Sequence, residues 1–139
     1  MITPLYDDVH GLALEIVNKS ASGDKAGCQD SLNSLERLCA KYAGGELDHP
    51  LQWEALGDFS ESCEDAIQAY TQGLNCSIKL DLPLYSASIA LEMAECFLRL
   101  NNQDKALKFA HKARIYSVST EDYELQESIN NFLRNLIQV

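Results

Sequence analysis

Apolar residues recur at helical spacing along almost the whole chain, and no stretch shows the alternation of period two that a half-buried strand needs. Seven stripes are visible: Leu5, Val9, Leu12, Ile16 and Val17; Leu32, Leu35, Leu38 and Cys39; Trp53, Leu56 and Phe59; Ala66, Ile67, Tyr70, Leu74 and Ile78; Ile89, Met93, Ala94, Phe97 and Leu100; Ala106, Leu107, Ala110, Ala113 and Tyr116; Leu125, Ile129, Phe132, Leu133 and Leu136. An all-α fold of about seven helices is expected. With 139 residues the chain has room for one domain, spanning 1–139. A chain of that size can bury roughly 68–70% of its unfolded surface without a metal or disulfide.

The punctuation agrees. The three prolines, Pro4, Pro50 and Pro83, each precede a stripe and are expected to open a helix, where a missing N–H costs nothing. Ser62 and Ser119 are each followed three residues later by an acid, as N-caps would be. Gly23, Gly44-Gly45 and Asn101-Asn102 fall in the gaps, where a left-handed residue ends a helix. The spacing predicts helices over about 4–20, 24–43, 50–60, 63–80, 84–101, 103–117 and 120–137. Such short loops make consecutive helices antiparallel neighbours, in pairs at about 4–43, 50–80 and 84–117, with 120–137 as a capping helix.

Charge narrows the function. Eleven Lys and Arg stand against 21 Asp and Glu, a net charge of −10. Nucleic-acid binding needs a basic patch to neutralise phosphates, so it is disfavoured. An acidic surface suits a basic protein or peptide, or simply solubility. The five cysteines, at 28, 39, 63, 76 and 96, form no C-x-x-C pair, so neither a zinc knuckle nor a redox dithiol is expected. They read as small hydrophobes. His10, His49 and His111 are scattered. No Gly-rich phosphate loop, G-x-S-x-G or H-E-x-x-H occurs, so catalysis, a cofactor and a metal are not expected. No long apolar run or signal peptide is found, which points to the cytoplasm and to no membrane association.

The chain also repeats itself. Asp24-Lys25-Ala26, Glu64-Asp65-Ala66 and Asp104-Lys105-Ala106 recur at a spacing of 40, each opening the second helix of a pair. In the third pair Met93-Ala94, Phe97, Ala106 and Ala113 fall in a regular pattern; in the second, Trp53-Glu54-Ala55-Leu56-Gly57 precedes Ala66-Ile67-Gln68-Ala69-Tyr70. These motifs resemble the tetratricopeptide repeat (TPR) family. Residues 48–117 carry the likeness, and the first pair shares only the spacing. Two departures stand out. Trp53 and Ala66 are 13 apart rather than the family's 16, and Gly73 replaces an alanine.

The resemblance implies a short right-handed, TPR-like solenoid of stacked helix pairs. Stacking buries faces that no pair can bury alone, and the ends need caps. The last helix would cap the third pair through Leu125, Ile129, Phe132 and Leu136. Its apolar end, Leu136-Ile137-Gln138-Val139, could alternatively make a homodimer contact.

In TPR proteins the first helix of each pair lines a concave groove. That pattern assigns Asp8 and Glu15 to the groove from the first pair. It assigns Glu54, Asp58 and Glu61 from the second, and Ser88, Glu92, Glu95 and Arg99 from the third. The expected function is non-catalytic: a protein–protein interaction module that binds a basic partner in an acidic groove, such as an immunity protein neutralising a basic toxin. The alternatives are a secretion chaperone or scaffold, whose groove needs apolar pockets too, and a self-associating structural or regulatory helical protein. The same acids also fit a merely solvated face. Lys105, Lys108 and Lys112 share a face of the sixth helix.

Overall fold

A computed structural model describes residues 3–137. Seven helices follow one another: α1 (Tyr6–Ala21), α2 (Lys25–Tyr42), α3 (Pro50–Phe59), α4 (Cys63–Lys79), α5 (Pro83–Arg99), α6 (Gln103–Ser117) and α7 (Tyr123–Ile137). No strand occurs among the described residues.

The helix ends follow from local chemistry. Ser62 accepts from the Asp65 N–H, Asp24 from Gly27 and Asn102 from Lys105, so three second helices start on a side-chain cap. Pro50 and Pro83 occupy the first helical turn. Pro4 does not: it sits in a turn before α1, and Leu5 takes a left-handed φ of 60° to swing the chain into Tyr6. Ser119 does not cap α7 either. Asp122 does, accepting from the Leu125 N–H at 2.9 Å, which starts that helix later than the serine suggested.

Left-handed residues close α1, α4 and α5 at Gly23, Asp81 and Asn101. Each is followed by the paired bonds of a Schellman motif: Asp24 N–H to Lys19 C=O, Leu82 to Ser77 and Asn102 to Phe97. Asp81 carried no glycine or asparagine signal.

Each helix packs on the next, and α1 and α5 also touch α3, so the pairs stack with their first helices side by side. This is a TPR-like helical solenoid. The core runs through it in connected clusters. Val9, Ile16, Leu35 and Cys39 join the first pair to α3. Ala66, Tyr70, Leu74, Ile89, Met93 and Phe97 join the second pair to the third. Ala87, Ala90, Ala94, Ala110 and Ala113 let α5 and α6 approach closely, and Ile129 and Leu133 of α7 close over them.

The short interval from Trp53 to Ala66 has a physical reason. Helix α3 has only 10 residues. Gly57 lies under the Tyr70 ring, where any Cβ would overlap it, and Gly73 passes against Trp53 and Ile89. The terminal Gln138 and Val139 lie outside the described residues.

Candidate functional site

The stacked first helices bring six of the proposed groove residues together. Glu54 and Asp58, four apart on α3, share a face and look toward α5. Ser88 of α5 donates to Glu54 Oε2 at 2.8 Å. Tyr70 reaches through from α4 and donates to Asp58 Oδ1 at 2.6 Å. The Glu92 carboxyl is wedged between Glu54 and Asp58. Glu95 and Arg99 continue along α5, with Arg99 beside Glu95 and Cys63.

This cluster is less charged than its composition suggests. Glu92 Oε2 is buried and meets no protein N–H or O–H. Burial, together with the neighbouring Glu54 and Asp58 carboxylates, holds its carboxyl well above the usual range. Three carboxylates this close do not all ionise readily, and burial beside Glu54 and Asp58 favours the protonated form of Glu92. Burial also raises Glu54, although the Ser88 hydroxyl works against that. Burial raises Glu95 as well, while Arg99 lowers it.

The other three residues lie elsewhere. Glu15 faces α2: its Oε2 accepts from Ser31 at 3.0 Å, and Lys19 donates to the same hydroxyl at 2.8 Å. Asp8, seven residues earlier, falls on the same side of α1. Glu61, in the turn after α3, lines a cleft on the opposite side of that helix. The repeat spacing that assigns Asp8 and Glu15 to the groove is least regular in the first pair, which lacks the aromatic of the others, and here Glu15 turns toward α2.

What α1 offers instead is apolar. Tyr6, Leu14 and Val17 are 46–52% exposed, and Tyr6 stacks on His10 at 5.5 Å. Thr3 and Tyr6 lie beside the Tyr85 hydroxyl at the start of α5, so this stripe borders the groove. His49 meets the Tyr85 ring edge-on at 5.1 Å. Its Nδ1 accepts from the Leu51 N–H, and burial lowers its pKa. Leu84 and Leu98 stay exposed on α5, on the side of Ser88 and Glu95. The missed signal was the Tyr6–His10–Leu14–Val17 spacing, which is itself helical.

The cysteines are all free. Burial pushes the Cys39 thiol up to about 12 and those of Cys76 and Cys96 up to about 11, which suits inert core residues. Among the described residues no group of three or more His, Cys, Asp or Glu is arranged to hold a metal ion. No described helix is long and apolar enough to cross a membrane.

No protein-family model matches the chain, and no curated protein matches it either. Two solved structures do. One is the Yersinia enterocolitica type III secretion translocator chaperone SycD, at 19% identity and a TM-score of 0.69, covering 95% of this chain and 85% of that one. The other is PcrH from Pseudomonas aeruginosa, at 20% identity and a TM-score of 0.68, covering 95% and 93%. At such identity the likeness speaks for the fold: the chain shares the all-helical, TPR-like architecture of SycD and PcrH over nearly its whole length.

Proposed function

We propose that this chain is a non-catalytic chaperone of the secretion type, whose concave groove holds an extended segment of a client protein. The observation that carries this reading is the match to the translocator chaperone SycD over 95% of the chain. The groove supports it. A chaperone needs apolar footholds beside its polar ones, and Tyr6, Leu14 and Val17 form an exposed stripe on α1 whose Tyr6 end lies beside Tyr85 of α5. A protonated Glu92 also makes the centre a hydrogen-bonding surface rather than a field of charge. That favours the chaperone over an immunity protein that recognises a toxin mainly by charge. Client side chains would insert apolar groups along α1 and place a Lys or Arg near Asp58 and Glu95.

The test is affinity capture from the native lysate at low and high salt, with mass spectrometry of what stays bound. A secreted client that loses solubility without this chain is expected. Capture should fail with Tyr6→Ser and Leu14→Ser, and weaken with Glu95→Lys. A toxin that is released by salt and is indifferent to the α1 changes would return the reading to an immunity protein.

A further inference from the structure

The two faces of α3 are differently furnished. Glu54 and Asp58 look into the groove, whereas Trp53, Leu56 and Ser60 look out between α2 and α4. There they floor a cleft of about 750 Å³, walled by Leu32 of α2 and by Ile67 and Ala69 of α4.

The cleft has a cause in the repeat. First helices of the second and third pairs correspond at a shift of 37 (Gly57 with Ala94), second helices at 40 (Ala66 with Ala106). Phe97 then corresponds to Ser60, and Phe109 to Ala69. In the third pair Phe97 and Phe109 stack with ring centroids 5.3 Å apart. In the second pair both rings are missing, and both replacements line the cleft. The missing aromatic pair leaves part of this space open.

The rim carries Glu36, Glu61 and Asp65, and no Lys or Arg is among the lining residues. From Tyr42 to Ser77 the chain has no Lys or Arg. The third pair, where the rings are present, shows the complementary arrangement. Lys105 lies over Phe97 at 5.4 Å, and Lys112 over Phe109 at 5.1 Å. There, aromatic rings in this place keep company with lysines.

We propose that the cleft between α2 and α4 is a second docking surface, which takes an aromatic side chain presented by a lysine- or arginine-rich segment of a partner protein. The ring restores the missing stack against Trp53 and Leu56, and the flanking cations meet Glu36, Glu61 and Asp65. This surface lies across α3 from the groove and is independent of whether the groove holds a client.

Trp53 is the single tryptophan, so its emission reports occupancy directly. The probe is a short synthetic helix of Lys and Ala carrying a central pair of Phe, with a Phe→Ala version as control. Titration should give a saturable shift of Trp53 emission with the Phe peptide and none with the control. Ser60→Phe, which fills the cleft, should weaken binding at least tenfold. So should Glu36→Lys with Asp65→Lys, which leaves the apolar floor intact and keeps the test readable if the first variant folds poorly. Glu95→Lys, in the groove, should leave it unchanged. Three results would overturn the proposal: no saturable shift, a shift lost only with Glu95→Lys, or a wild-type dimer by light scattering that Ser60→Phe converts to monomer. The last would assign the cleft to a second copy of the chain.

Discussion

Tyr70 donates its hydroxyl proton to Asp58 at 2.6 Å while the edge of its buried ring rests on Gly57, the residue just before Asp58. One side chain therefore fixes both the spacing of α3 on α4 and the position of a groove carboxylate. An alanine at 57 would drive its methyl into a ring that is 5% exposed and cannot swing away. Gly57→Ala is expected to destabilise by about 1–3 kcal/mol from overpacking, offset by at most about 1 kcal/mol of helix propensity. Gly11 is the control, since a Cβ there meets nothing within 4 Å. Gly11→Ala should stabilise by about 1 kcal/mol. Urea unfolding of the two variants checks the contrast, and equal effects would remove the Tyr70 contact from the account.

The raised pKa of Glu92 makes stability depend on pH. Its pKa is raised in the folded state by burial and neighbouring carboxylates. The native state therefore keeps a proton that the unfolded chain releases above about pH 4.3. Stability from this group is complete below that value and is lost as pH rises toward the folded pKa, by at most about 1.4 kcal/mol per pH unit. His49 acts in the opposite sense, because its folded pKa is lowered by burial and its contribution is lost as pH falls below about 6.5. Comparing wild type with Glu92→Gln cancels His49. The glutamine variant should gain on wild type steadily from pH 5 to pH 8 in denaturant titrations. Parallel curves would mean that Glu92 is ionised.

The helices and their stacking were legible because each stripe, proline and cap acts over a few residues. The clustering of the candidate site's side chains was legible only where the repeat is regular. Glu54, Asp58, Glu92, Glu95 and Arg99 lie in the second and third pairs, whose small residues fix the register. Asp8 and Glu15 lie in the pair without the aromatic, and their face was set by α2 through Ser31. Two features had no sequence signal of their own. The proton on Glu92 depends on two carboxylates of another helix. The cleft under Trp53 depends on rings absent from Ser60 and Ala69, and their absence opens a space only because α2 and α4 flank α3 there.

Asp48 ties the loop before α3 to the helix itself. Its Oδ1 accepts from Trp53 Nε1 at 2.8 Å and its Oδ2 from the Gly44 N–H at 2.9 Å. Asp48→Ala removes both bonds and is expected to cost about 1–3 kcal/mol. Trp53 emission should shift as the indole N–H loses its carboxylate. Asp48→Asn keeps one acceptor and should fall between the two. An unchanged spectrum in Asp48→Ala would show that the indole bond does not persist in solution.

Helix α7 is a cap whose apolar face is already in use. Ile129 is fully buried, and Leu133 and Leu136 are 5% and 6% exposed against α5 and α6. A homodimer through that face would have to pull the cap off the third pair. Ile129→Ala is therefore expected to cost about 2–5 kcal/mol as a cavity in the core. It should leave the solution mass unaltered in light scattering. The exposed edge of the helix behaves differently. Tyr123 and Ile137 are 72% and 67% exposed, so Tyr123→Ser with Ile137→Ser should change stability by no more than about 0.5 kcal/mol. If the double serine variant instead lowers the mass from dimer to monomer, α7 contributes its outer edge to self-association while its inner face remains the cap.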